Sequence, residues 1–349
     1  LIRRKPYCGL RVPSVMTRFP SSCSLDVVGI GNAIVDVLVQ TDDSFLTEHG
    51  LQKGGMALID EQQAETLYTA SGPGLETSGG SVANTMVGIA QLGGRAGFIG
   101  RVRNDQLGGI FSHDIRAVGA RFDTPAATTG ATTARCLIYV TPDAERTMCT
   151  FLGASTQLEP DDLDLSMVRD TKVLYLEGYL WDSPAAKRAF IAAAEVCREA
   201  GGQVALSLSD GFCVDRHRES FLELVNCHVD VLFANEVEIK SLYETDDFET
   251  ALEKVGGCCS VIAITRGGEG SVVLSGDQRW NIGIFGLGEL VDTTGAGDLY
   301  AGGFLHGYTQ GESLERCGQL GALCAGQIVT QLGARPQVSL RDLAAAHLN

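Results

Sequence analysis

Val291-Asp-Thr-Thr-Gly-Ala-Gly-Asp298, running on into Leu299-Tyr-Ala-Gly-Gly-Phe-Leu305, is the stretch on which the reading of this chain turns. Gly295, Ala296 and Gly297 let the backbone approach a ligand closely. The apolar run behind them predicts a helix, whose first N–H groups and positive dipole end face whatever that turn holds. Together they form an anion hole that suits a phosphoryl group. Asp298, in the first turn, is placed to take a proton from, or orient, a hydroxyl attacking a phosphorus held there. An acid at this position also complements the helix dipole, worth about 0.3–1 kcal/mol. The glycine frame around Asp298 favours the chemical reading.

Outward from this segment, the chain alternates strands and helices. From Lys172 the order is Val173–Leu176, a helix over 184–200, Val204–Leu208, a helix over 216–228, Val231–Phe233, helix over 236–256 and Val261–Ile264. That is the βαβ rhythm of a parallel, doubly wound sheet with helices on both faces. A strand pair near 271–284 precedes helices at 296–309, 312–330 and 339–347. Earlier, Leu25-Asp-Val-Val-Gly-Ile-Gly31 and Ile34-Val-Asp-Val-Leu-Val39 read as two short strands at a tight bend, and a helix over 81–92 stops at Gly93-Gly94. Strands at 134–140 and 147–152, joined by Thr141-Pro-Asp-Ala-Glu-Arg146, form a hairpin. The expected fold is one α/β domain over 25–349 with a small β-sheet lid inserted from about 33–60 and 122–152. Residues 1–24 are expected to form a tail outside it.

The chain has 349 residues, a formal charge of −16 and 11 cysteines. The negative balance opposes broad binding to nucleic acid, whose phosphates need clustered Lys and Arg. No apolar run reaches the roughly 18–20 residues that span a bilayer, so no membrane association is expected. The cysteines lack CxxC spacing and read as reduced core residues of a cytoplasmic protein. No His cluster has zinc spacing. The first 18 residues carry Arg3, Arg4, Lys5, Arg11 and Arg18 before any acid. Two readings stay open for them: a transit peptide, or sequence upstream of a start at Met16 or left by a truncated fragment. The second is favoured for residues 1–15.

The segment 292–298 with its glycine-rich helix resembles the second signature of the PfkB, or ribokinase-like, family of sugar and nucleoside kinases. Gly79-Gly-Ser-Val-Ala-Asn-Thr-Met-Val-Gly-Ile-Ala-Gln-Leu-Gly93 is similar to that family's first signature. The resemblance implies an ATP-dependent phosphotransferase, with Gly79, Gly80 and Asn84 on sugar hydroxyls and Thr294 beside the nucleotide. Gly31-Asn-Ala-Ile-Val-Asp36 resembles the nucleoside-kinase form of the first strand, which gives Asn32 and Asp36 to the acceptor; a carboxylate can accept from two vicinal hydroxyls. Asn235-Glu-Val-Glu238 resembles the family's NxxE motif, with Asn235 near the nucleotide and Glu238 holding hydrated Mg²⁺. Thr265-Arg-Gly-Gly-Glu-Gly270 resembles its nucleotide loop, making Thr265, Gly267 and Gly270 ATP contacts. Pro142-Asp-Ala-Glu-Arg146 with Phe151-Leu-Gly-Ala-Ser155 looks like the adenosine-kinase branch, in which Arg146 reaches the transferring phosphate.

The implied acceptor is a primary hydroxyl, with the 5′-hydroxyl of adenosine first and a sugar such as ribose or fructose as the alternative. The family often has a monovalent-cation site near the anion hole, so K⁺ is a candidate beside ATP and Mg²⁺. Monomer and homodimer stay open. Two departures stand out: Arg103 where a glycine is expected, and Asp210 after Ser207-Leu-Ser. A dinucleotide-binding dehydrogenase is disfavoured because Gly29-Ile-Gly31 lacks the third glycine, Ile34 standing there. A P-loop enzyme is excluded by the absence of GxxxxGK[ST]. A non-catalytic binding module would be favoured by loss of Asp298 or its glycines, and all are present.

Overall fold

Mostly apolar runs such as Leu25-Asp-Val-Val-Gly-Ile30 form strands covered on both faces; this first one is buried throughout, its single charge, Asp26, paired with Arg95 and Lys172. The computed structural model describes residues 19–20, 22–143 and 145–348. Its strands are β1 (Leu25–Ile30), β2 (Ile34–Gln40), β3 (Met56–Leu58), β4 (Gly74–Gly79), β5 (Ala96–Ile99), β6 (Ala134–Val140), β7 (Arg146–Phe151), β8 (Thr171–Glu177), β9 (Gln203–Ser207), β10 (Val231–Asn235), β11 (Val261–Thr265), β12 (Ser271–Ser275) and β13 (Gln278–Ile282). The large sheet has the order β13-β12-β11-β10-β9-β8-β1-β5. It is parallel from β11 to β5. Two antiparallel strands, β12 and β13, extend its edge. The fold is ribokinase-like, and the strand order turns at β1, where such sheets open a crevice beyond their C-terminal ends.

A second sheet has the order β3-β7-β6-β2-β4. Its outer strand β4 pairs antiparallel with β2 from Gly74 to Gly79. The sequence reading stopped this insertion at about residue 60 and missed β4, because GLETSG lacks the β-branched residues that mark strands. A helix, Glu61–Ala70, lies between β3 and β4; it carries an Asp60–Gln63 capping box. In β2, Val35, Val37 and Val39 are buried while Ile34, Asp36 and Leu38 are only partly covered. The valines join the main core, and Ile34 and Asp36 face a cavity between the two sheets.

The expected tail also needs correction. Cys23 is buried, Ser24 donates to the Asp170 carboxylate, and Phe19 meets Tyr308 edge-on at 5.8 Å. Burial of an aromatic ring and a thiol is reason enough for these residues to dock. The proposed start at Met16 lies outside the described residues. Most cysteines among the described residues are buried. No helix among the described residues is long and apolar enough to cross a membrane.

Two helices carry the glycine signatures: Ser81–Gln91 and Ala296–Gln310. They pack through glycine. A Cβ on Gly88 would come within 2.8 Å of Leu299 Cδ1, and one on Gly302 within 3.1 Å of the Thr85 carbonyl. Gly303 makes the same allowance on the other side, where a Cβ would stand 2.5 Å from the Leu320 carbonyl in the helix Leu314–Ile328. This close approach sets the two signature turns side by side at the crevice.

Candidate active site

The crevice holds a cavity of about 400 Å³. Its floor is made by the two signature turns, one wall by the ends of β9, β10 and β11, and its roof by Ile34, Asp36, Cys136, Ile138, Met148 and Thr150 of the small sheet. Register explains the roof. Asp36 pairs with Cys136, which pairs with Thr150, and Ile138 pairs with Met148, so the same face recurs from strand to strand.

On the acceptor side, Gly80 precedes the helix Ser81–Gln91 with φ +94°, and a Cβ there would stand 2.2 Å from the Asn32 carbonyl. Only glycine fits. Gly79 is constrained by a side chain instead, since its Cβ would meet Asp36 Oδ2 at 2.4 Å. These turn residues bring Ser81 and Asn84 onto Asp298: Ser81 Oγ donates to Oδ1 at 2.6 Å and Asn84 Nδ2 to Oδ2 at 2.9 Å. Thr85 Oγ1 adds a bond to the Asp298 carbonyl at 3.1 Å. Burial pushes the Asp298 carboxyl above its ordinary range, opposed by the Ser81 and Asn84 bonds and by Arg335. The side-chain oxygens of Asn32 and Asn84 are buried without a hydrogen-bond partner.

Asp36 is pushed up to about 6, first by burial; Asp298 adds to this, while Arg335 and Arg146 oppose it. Behind the turn, Glu177 at the end of β8 is buried and accepts from the Asn32 backbone N–H. Burial raises its carboxyl to about 8, with Asp298 adding to the effect and bonds from the Asn32 and Val82 backbones opposing it.

On the phosphate side, Gly295 caps the helix Ala296–Gln310 with φ +79°, and a Cβ there would lie 2.6 Å from Ala334 Cβ. Gly297 has open space where its Cβ would be, and it lines the cavity with Thr294, Gly295 and Asp298. No side chain caps this helix; the Ala296 N–H turns back to the Thr293 carbonyl at 3.1 Å, and the Gly295 and Gly297 N–H groups are left for an anion. Asp292 braces the turn: Oδ1 accepts from Thr294 N at 3.1 Å and Thr294 Oγ1 at 2.8 Å, and Oδ2 from Gly333 N at 2.9 Å.

Arg146, expected over the phosphate, instead bonds Asp292 Oδ2 through Nη1 at 2.6 Å. Its Nη2 is buried and unpartnered. The pair ties the small sheet to the anion-hole loop.

Asn235 and Glu238 line the cavity and form a capping box. Glu238 N donates to Asn235 Oδ1 at 2.8 Å, while Asn235 N and Nδ2 donate to the two Glu238 oxygens at 2.9 and 2.7 Å. Burial raises the Glu238 carboxyl to about 7, and Asp210 adds to it. Asp210 caps the helix Gly211–His228, and Ser209 before it takes φ +71°, unusual outside glycine, on the cavity wall. Thr265 also lines the cavity. Gly267 and Gly270 do not; their positive φ values, +55° and +83°, serve the turn from β11 to β12, where a Cβ on Gly270 would meet the Ile282 carbonyl at 2.1 Å. Asn32, Gly79, Ala296 and Arg146 stand behind the lining rather than on it. Arg103 is also away from it, donating its N–H to Thr133. Sequence reasoning missed Glu177 and Arg335, for which no local motif gives a signal, and gave no task to Ser81, although it lies inside the first glycine signature, or to Asp292, although it opens the second.

Residues 61–340 match the pfkB family carbohydrate kinase profile. The chain belongs to that family. It is similar to the crystal structure of an adenosine kinase from Sinorhizobium meliloti, with 51% identity, a TM-score of 0.85, and 92% of this chain and 99% of that one covered. A probable sugar kinase from Rhizobium etli CFN 42 gives 48% identity and a TM-score of 0.86, covering 93% and 98% of the two chains. Among curated proteins, the probable fructokinase-2 of Arabidopsis thaliana is 26% identical over 317 residues, 83% of this chain and 94% of its own. Membership of this kinase family implies ATP as phosphoryl donor.

Proposed function

We propose that this kinase transfers the γ-phosphoryl group of ATP to the 5′-hydroxyl of a nucleoside, adenosine first. The observation that carries this is Asp298, held by Ser81 and Asn84 on the cavity floor beside the open Gly297 turn. Asp298 accepts the hydroxyl proton as the new O–P bond forms and the bond from phosphorus to the β,γ-bridging oxygen breaks, releasing ADP. The N–H groups of Gly295 and Gly297 stabilise charge on the moving phosphoryl group. Asp36 and the unpartnered Asn84 Oδ1 receive hydroxyl donors of the acceptor. Ile138 and Met148 offer an apolar roof that suits a base more than another hydroxylated carbon.

The donor groups fit ATP and a divalent cation. Space beside Gly297 suits phosphate oxygens, and Glu238 presents carboxylate oxygens to the same cavity. Mg²⁺, held near Glu238 through water, would neutralise phosphate charge. K⁺ is proposed only as a modulator. A sugar acceptor is the second reading, favoured by the fructokinase similarity. A screen of nucleosides and sugars with Mg-ATP, with and without potassium, separates them: adenosine should give the highest kcat/KM. Preference for fructose or ribose would replace the nucleoside reading, and binding without product would end the kinase reading.

A further inference from the structure

Residues 333–335 touch both turns of the site. Gly333 donates to Asp292, and Ala334 packs under Gly295. Arg335 reaches the other way. Its Nε donates to the Ser78 carbonyl at 2.7 Å, its Nη2 to Ser78 Oγ at 3.0 Å and its Nη1 to the Ala83 carbonyl at 3.3 Å. Ser78 and Ala83 flank Gly79, Gly80 and Ser81, so this fork grips the turn that aims Ser81 and Asn84 at Asp298. Arg335 spends its hydrogen bonds on neutral acceptors, and no carboxylate among the described residues lies within ion-pair distance of it.

Its charge therefore acts across space. The guanidinium faces Asp36, Asp114 and Asp298. Asp114 is already bonded to the Ser78 N–H at 3.0 Å. Asp36 faces Arg335, Arg146, Asp298 and Cys136. Asp298 faces Arg335, with Glu177, Tyr175 and Tyr179 on the strand β8 side. Burial lowers Arg335 to about 10, so it keeps its charge at neutral pH.

We propose that Arg335 is a positioning residue for phosphoryl transfer: its fork locks the Gly79–Gly80 turn to the anion-hole loop, and its buried charge balances Asp36 and Asp298 across the cavity. This rests on the kinase reading above and adds the residue that joins its two halves. An arginine suits both tasks, because one planar group makes several directed bonds and holds a permanent charge.

The test compares Arg335→Gln and Arg335→Lys with the parent chain. The readouts are acceptor KM and kcat over pH, and the carboxyl titrations of Asp36 and Asp298 by ¹³C NMR without ligand. Arg335→Gln should raise the Asp36 midpoint by about one unit or more. It should also move the acid limb of kcat/KM upward and raise acceptor KM roughly tenfold. Arg335→Lys keeps the charge without the fork, so it should leave the Asp36 midpoint near the parental one while still raising KM. Carboxyl midpoints unchanged in Arg335→Gln, or lost turnover with an unmoved acid limb, would overturn the proposal. If Arg335→Gln does not fold, Arg335→Lys decides, and parental KM in that variant overturns it. The titrations need no turnover, so a parent chain that phosphorylates nothing would sink the kinase reading while leaving the Arg335 result standing.

Discussion

The turns before the helices Ser81–Gln91 and Ala296–Gln310 use the same local device to opposite ends. Each enters its helix through a glycine at positive φ, Gly80 at +94° and Gly295 at +79°, and neither helix has a side-chain cap. At the first turn the protein fills the space: Gly80 is jammed against the Asn32 carbonyl, and Ser81 and Asn84 are spent on Asp298. At the second, Gly297 looks onto empty volume. Positive φ and close packing make a wall in one case. In the other they make a cradle whose unmade hydrogen bonds await a ligand.

Breaking the contact between the turns should have the largest effect. Asp298→Asn keeps the shape of the side chain and removes the proton acceptor; kcat should fall by about 10²–10⁴-fold with the melting temperature nearly unchanged, as steady-state assays and thermal scans would read. Near-parental turnover would show that the turns meet for structural reasons alone.

The comparison sharpens when each turn receives one methyl group. Gly80→Ala should destabilise by about 2–4 kcal/mol, seen in urea unfolding, because the backbone angle and the Asn32 carbonyl both oppose it. Gly297→Ala should unfold like the parent yet lose about 10–100-fold in turnover, since its methyl group displaces what the cradle holds. Equal behaviour in the two variants would erase the distinction drawn here.

The smallest expected effect tests the support beneath the first turn. Glu177 has a folded-state pKa of about 8 against an ordinary 4.5. Its protonated form therefore contributes stability in full below about 4.5, and that contribution is lost as pH rises through 8. Glu177→Gln removes the ionisation. The melting temperature of this variant relative to the parent should climb by a few degrees between pH 5 and pH 8.5. Asp36 and Glu238, also raised, titrate in both proteins and cancel in the difference. A flat difference would mean that Glu177 stays charged in the folded chain.

What the sequence made legible were the features whose cause lies within a few residues. A glycine forced to positive φ, an Asp one step into a helix and a strand without polar positions all announce themselves locally. Thus the large parallel sheet, the hairpin of β6 and β7 and both signature turns could be anticipated. Strand β4 could not, since Gly74–Gly79 owes its extended form to pairing with β2 rather than to its own propensity. Arg335 and Glu177 escaped for a related reason: their partners lie far off in the chain, and a lone Arg or Glu has no periodicity to betray it. The NxxE segment carries a double meaning. Its Asn and Glu cap a helix through their own hydrogen bonds, and this places the same carboxylate on the cavity wall. Arg146 was read as a phosphate ligand, yet here its Nη1 serves Asp292, leaving only Nη2 unclaimed.

The bonds from Ser81 to Asp298 and from Arg335 to Ser78 join residues 217 and 257 positions apart. During synthesis, therefore, the acceptor-side turn leaves the ribosome long before the groups that complete it. The glycine turn must wait, with Asn84 unanchored, until Asp298 and Arg335 have emerged, although strand β1 can already pair with β5. Such distant closures slow folding and leave apolar strands unpaired meanwhile. They also ensure that the acceptor-side turn is incomplete until Arg335 has been added.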